Sequence, residues 1–173
     1  MKDRILVTYA SRSGSTAGVA EAIGKSLADR GAQVDVLPMQ EVTDLNAYRA
    51  VVAGSAIQGS AWLPEAMQFM RTHRAALNQK PFAAFMVCIT LSMADADKYR
   101  ESLRDWLASV RALAQPISEG YFAGALDFKK MPLTFNTLMM RLPVLFGLWK
   151  RGDHRDWDAI QAWAESLYSL LLP

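Results

Sequence analysis

Four hydroxyl-bearing side chains fall within six residues of the segment Tyr9-Ala10-Ser11-Arg12-Ser13-Gly14-Ser15-Thr16, between an apolar β-like run, Ile5-Leu6-Val7, and a helical pattern opening near Thr16. Such a segment is built to hold a phosphate. Small hydroxylated residues and a glycine leave backbone N–H groups unshielded, and the first turn of the following helix adds unpaired donors and the positive end of its dipole. Arg12 either helps to neutralise the phosphate or points into solvent. The loop has no lysine where a nucleoside-triphosphate loop requires one, and it lacks the G-x-G-x-x-G spacing of dinucleotide sites. A phosphomonoester therefore fits better than ATP or NAD. The alternative is a hydroxyl-rich turn in which Ser13 or Ser15 merely caps the helix.

The order hydroxyl, any, hydroxyl, Gly, any, Thr after a first strand resembles the flavodoxin family, whose members hold the ribityl phosphate of FMN in such a loop. The elements that must position the loop follow from the hydrophobic pattern. Strands are expected at Arg4 to Tyr9, Gln33 to Leu37, Ala50 to Gly54, Phe82 to Ile89 and Gly120 to Leu126. Helices are expected at Thr16 to Arg30, Leu63 to Leu77, Asp95 to Leu113 and Asp156 to Leu171. Runs such as Ala50-Val51-Val52-Ala53 are apolar on both faces, as suits strands covered by helices on both sides of a parallel sheet. Gly31 sits at the stop of the first helix and Pro81 at the start of the fourth strand, where a missing N–H costs little. The expected fold is α/β, a flavodoxin-like doubly wound five-stranded parallel sheet of order 2-1-3-4-5, with an apolar-basic insert after strand 5.

That order places a ligand site at the carboxyl ends of strands 1, 3 and 4. Three segments meet there: Ser11, Arg12, Ser13, Gly14, Ser15 and Thr16; then Ser55, Ala56, Ile57, Gln58, Gly59, Ser60 and Trp62; then Thr90, Leu91 and Ser92. All are expected to bind the cofactor, since small and hydroxylated residues let backbone approach a planar ring. Trp62 either stacks on that ring or anchors the start of its helix in the core. Gly59 either presents a flexible peptide to flavin N5 or simply shapes a turn. Leu91 and Met93 either line the other ring face or pack in the core. The third segment has no obvious stacking aromatic, so one face of the flavin is expected to be open to a substrate.

The chain has 173 residues and a net charge of +2, which suits one domain over 1–173 and gives no electrostatic footprint for nucleic acid. Cys88 lies in an apolar run and reads as a buried thiol, which suits a reducing cytoplasm. Met1-Lys2-Asp3-Arg4 lacks the apolar core and cleavage site of a signal peptide.

Between strand 5 and the last helix lies an insert over 129–155. From Met131 to Trp149 its one charged residue is Arg141, and Lys129, Lys130, Lys150, Arg151 and Arg155 flank it. Basic residues at both ends argue against a single membrane span. The pattern suits a broken helix at the inner face of a membrane, where each basic residue contributes about 1 kcal/mol near anionic lipid, or a cap over the flavin pocket. The alternatives are self-packing or a homodimer contact.

The chain is also similar to the menaquinone-dependent protoporphyrinogen oxidases of flavodoxin type. The likeness is carried by Ser11 to Thr16, Val52-Ala53-Gly54-Ser55-Ala56-Ile57, Phe122-Ala123-Gly124-Ala125-Leu126, the insert, and Asp156-Trp157. It implies FMN, a quinone acceptor and a reduced organic donor such as a porphyrinogen. In that reading the flavin does the chemistry, with no metal and no protein acid–base pair. His73 is expected to be structural, His154 to sit in a solvated loop or touch an anionic substrate, and Asp95, Asp97 and Asp105 to be solubilising charge. A chain without strong acidity applies no global repulsion to reduced flavin, which favours two-electron chemistry. The competing functions are a one-electron carrier with no substrate of its own and a flavin-free, membrane-tethered interaction module.

Overall fold

Apolar runs alternating with helical patterns fold into a parallel sheet with helices on both faces. The computed structural model describes residues 4–93, 99–126 and 152–173. Its elements run β1 (Arg4–Ala10), α1 (Ser15–Asp29), β2 (Gln33–Pro38), β3 (Ala50–Gln58), β4 (Ala61–Trp62), α2 (Pro64–Thr72), α3 (Arg74–Leu77) and β5 (Phe82–Cys88). There follow α4 (Arg100–Asp105), α5 (Ala108–Leu113), β6 (Ser118–Ala123), β7 (Ala125–Leu126), β8 (Gly152–Asp153) and α6 (Trp157–Leu171). Short 3₁₀ turns occupy Met39–Glu41 and Ile89–Ser92.

The sheet order is β2-β1-β3-β5-β6, all parallel, with β4 folded back on β3. Counting the parallel strands alone, this is the expected order 2-1-3-4-5. Register makes the carboxyl ends nearly flush: Ala10 lies opposite Ser55, Ala56 opposite Val87, and Cys88 opposite Ala123. Loops leaving these ends therefore emerge side by side.

Side chains alternate between two cores. Ile5, Val7, Val52, Phe85 and Val87 pack under α1 and α6, while Leu6, Val51, Ala53, Phe82 and Met86 pack under α2, α4 and α5. Each large side chain buried this way contributes about 1.5–3 kcal/mol, which ties the sheet to both helical layers. Phe85 lies across β3 because Gly54 has no side chain; a Cβ there would stand 2.1 Å from the Phe85 ring. At the β6 edge, Arg111 grips Glu119 with two bonds of 2.6 and 2.8 Å, and the Tyr121 hydroxyl donates to the same carboxylate. The last helix opens on the Asp156 side chain, which accepts from the Ala159 N–H at 2.9 Å.

Several expected boundaries move. β3 continues through Gln58 instead of stopping at Gly54, because Ile57 and Gln58 pair with Trp62 and Ala61 in a hairpin. The helix expected over Leu63 to Leu77 is broken at His73, whose ring lies 4.7 Å from that of Phe69 and whose pKa is lowered by burial. The helix expected from Asp95 is described from Arg100 as α4 and α5, interrupted at Trp106 and Leu107; Asp95 and Asp97 lie outside the described residues. The fifth parallel strand ends at Ala123, and Ala125–Leu126 leaves the main sheet to pair with Gly152–Asp153. The apolar stretch of the insert, up to Arg151, lies outside the described residues, while 152–155 form β8 and the turn into α6.

Candidate functional site

The loop between β1 and α1 is set by its own atoms. The Gly14 N–H donates to the Ser11 hydroxyl at 3.0 Å, and Gly14, at φ +84°, takes the left-handed turn into the helix. No side chain caps this helix, so neither Ser13 nor Ser15 plays the capping role that was the alternative reading. The bond from Gly18 N–H to Gly14 C=O, 3.1 Å, opens the helical ladder. The N–H groups of Ser15, Thr16 and Ala17 precede it, which is the donor cluster an anion needs.

Two hydroxyls complete the arrangement. Thr16 is 1% exposed and its hydroxyl is buried with no partner. The Ser15 hydroxyl accepts from the Ala125 N–H at 2.9 Å, which leaves its own proton to donate. A Cβ placed on Gly14 would meet nothing within 4 Å, so the loop is open on that side. An orphaned hydroxyl beside unpaired helix amides fits a phosphate. Arg12 lies exposed on the loop, its guanidinium paired with Glu65 at the start of α2, at 2.8 and 3.1 Å. It links the loop to the helix after the hairpin.

The second segment divides into buried and exposed parts. Ser55 is fully buried, accepting from the Leu63 N–H at 3.0 Å and donating to the Ala56 C=O at 2.7 Å. It is a bracket for the β3–α2 connection, with its proton and one lone pair engaged inside the protein. Ala56 and Ile57 are half-buried against the core, while Gln58, Gly59 and Ser60 are exposed. Gly59 and Ser60, at φ +58° and +62°, form a two-residue hairpin loop with both central residues left-handed, the geometry of a type I′ turn. Trp62 is 2% exposed and packed in the core with its indole N–H unpaired, so neither ring face is available for stacking. The core-anchor reading of Trp62 is the one the structure carries.

The third segment is the 3₁₀ turn after β5. Thr90, Leu91 and Ser92 are half-buried, and the Ser92 hydroxyl donates to the Ile89 C=O at 2.6 Å. Leu91 packs against the core. Cys88, at the strand end, is buried, and burial pushes its thiol pKa up, as suits an unreactive packing residue.

A fourth contribution has no counterpart in the sequence reading. The Gly124 N–H donates to the Cys88 C=O at 3.2 Å, and the His154 N–H donates to the Gly124 C=O at 3.3 Å. The short β7–β8 pair is thereby seated beside the β1–α1 loop. His154 is half-buried in this turn. Strands of two residues carry no periodicity, so only the pairing of distant backbone reveals them. Among the described residues, no helix is long and apolar enough to cross a membrane.

A model of the flavodoxin domain family matches residues 6–147, most of the chain. The chain belongs to the flavodoxin domain family. Among solved structures, this flavodoxin domain is similar to the flavodoxin of Streptococcus pneumoniae TIGR4, with a TM-score of 0.59 at 18% identity over 96% of this chain and 98% of that one. Oxidised flavodoxin 2 from Bacillus cereus gives a TM-score of 0.52 at 24% identity, covering 83% of this chain and 97% of that one. Rubredoxin oxygen:oxidoreductase from Desulfovibrio gigas matches 98% of this chain with 37% of its own, at a TM-score of 0.52 and 16% identity. Among curated protein sequences none matches. At these identities the structural likeness speaks for the fold alone.

Proposed function

We propose that this flavodoxin domain binds FMN at the carboxyl edge of its sheet and acts as an oxidoreductase passing electrons between a reduced organic donor and a quinone-type acceptor. The observation that carries the cofactor is the unpaired Thr16 hydroxyl at a helix N-terminus whose first amides precede the ladder. Bound FMN would supply reversible transfer of one or two electrons. The chain's own residues bind and orient. Ser13, Gly14, Ser15 and Thr16 would hold the phosphate, with the exposed Gln58-Gly59-Ser60 turn and the Thr90–Ser92 turn flanking the ring.

Support for a substrate comes from what the ring would not meet. With Trp62 buried in the core and no aromatic among Ile89–Met93, these two segments offer aliphatic side chains, Ile57 and Leu91. A ring that these two described segments leave unstacked suits an apolar partner such as a quinone, with a porphyrinogen as one donor class. Contact of 129–155 with an anionic membrane face, inside the cell, is proposed from their sequence. The second reading is a one-electron carrier, favoured by the fold likeness to flavodoxins.

Potentiometric reduction of the FMN-loaded protein, together with turnover of a soluble menaquinone analogue, tests the choice. A single two-electron wave with quinone turnover supports the oxidoreductase. Two separated one-electron waves without turnover refute it and leave the carrier. Failure to retain FMN refutes both.

A further inference from the structure

The phosphate loop is held from outside by a cluster that the cofactor would not touch. The Arg155 guanidinium reaches the Ser15 C=O with Nη1 at 3.4 Å and is clamped on Asp153 at 2.7 Å through Nε and 2.5 Å through Nη2. Its side chain is 16% exposed and its Cζ lies 4.4 Å from the ring centroid of Trp157. The backbone N–H of Arg155 also donates to Asp153, at 3.0 Å. A Cβ on Gly18 would come within 2.5 Å of Nη1, so a glycine on α1 makes the space into which the guanidinium fits.

A cation beside a helix N-terminus opposes the dipole, so its place there is not explained by helix stability. The Asp153 carboxylate offsets that charge; bonding to Arg155 holds its pKa below the ordinary carboxylate value. Ser15 is thus gripped twice, at its carbonyl by Arg155 and at its hydroxyl by the Ala125 N–H. The first grip fixes the peptide that opens α1. The second orients the hydroxyl so that its proton is the bond left to give.

Resting on the FMN reading above, we propose that Asp153 and Arg155 form a positioning clamp for the phosphate loop, setting affinity for the cofactor's phosphate without contacting it. The clamp is specific to the phosphate end: it should affect FMN and leave riboflavin, which lacks the phosphate, alone.

The test compares wild type with Arg155→Gln, Arg155→Lys and Asp153→Asn. Dissociation constants for FMN and riboflavin are measured by flavin fluorescence, and amide hydrogen exchange is followed in the flavin-free protein. Arg155→Gln should weaken FMN roughly tenfold, the worth of one hydrogen bond from a charged group, and change riboflavin less than about twofold. Lysine, lacking the fork, should not restore affinity. Exchange over residues 18–20, the first bonded amides of α1, should quicken in Arg155→Gln and Asp153→Asn, with β5 and the centre of α6 unchanged. Equal losses for both flavins, or no loss, overturn the clamp while FMN binding stands. If wild type binds neither flavin the FMN reading fails, and unchanged exchange over residues 18–20 then overturns the clamp independently.

Discussion

Replacing Thr16 by valine should make the flavin-free protein more stable and the FMN-loaded protein less so. Thr16 is 1% exposed and its hydroxyl is buried without a partner, so the free protein bears the desolvation cost of an unmade hydrogen bond. That cost is about 1–3 kcal/mol. Valine keeps the β-branched shape and a similar helix propensity, so removing the hydroxyl should return about 1 kcal/mol, or roughly 2–4 °C in Tm for a chain of this size. With phosphate present the same hydroxyl donates to an anion, worth about 1.5–3 kcal/mol, and its loss should weaken FMN by roughly 10- to 150-fold. At a fixed FMN concentration far above both dissociation constants, that lost binding energy is lost stabilisation. The melting curves of the two proteins should therefore exchange order when FMN is added. Thermal unfolding with and without FMN, and with riboflavin as the phosphate-free control, reads this directly. A lower Tm for the flavin-free variant would show that the hydroxyl has a protein partner, and unchanged FMN affinity would remove Thr16 from the phosphate site.

Trp62→Phe should leave FMN affinity within about twofold, since the indole sits in the core; a stacking role would show as a several-fold loss in flavin fluorescence titration. Gly54→Ala drives a Cβ to 2.1 Å from the Phe85 ring and should lower stability by about 1–3 kcal/mol in urea denaturation. Adding Phe85→Leu should recover part of that loss, and strict additivity of the two changes would argue against the clash. Hydrogen bonding to Arg111 outweighs burial and holds the Glu119 pKa below its ordinary 4.5. Its contribution to stability is therefore complete above that value and is lost as pH falls through the lower folded pKa. Glu119→Gln should lower the urea midpoint at neutral pH, by about 1 kcal/mol equivalent, and the gap to wild type should close in acid. A gap that stays constant with pH would refute the ion pair as its source.

The sheet was legible because its strands are doubly buried, and continuous apolar runs such as Ala50–Ala53 and Phe82–Cys88 mark that condition without reference to any neighbour. Their alternation with helical patterns implies the crossover connections and hence the strand order. The proposed phosphate loop rests on a related reason: its chemistry is local, made of one turn's hydroxyls and amides. Legibility ended where a residue's role depends on what faces it. Trp62 and Ser55 lie in a segment whose composition suits a ligand loop, yet β3 extends through it and folds back as a hairpin. That turns both side chains inward. Arg12 pairs with Glu65, 53 residues further on, a partner that its local sequence does not announce.

Residue order by itself determined that this chain forms a doubly wound sheet with a hydroxyl-rich turn, the proposed phosphate site, after its first strand, because burial pattern and turn chemistry act over a few residues. Tertiary structure alone decided what surrounds that site. Two-residue strands on either side of residues 127–151 meet beside Ser15, and Arg155 reaches α1 through the space that Gly18 leaves. Such contacts join positions up to 140 residues apart through backbone and polar groups. They leave no periodicity behind, and only the packed arrangement of the sheet's carboxyl edge brings them together.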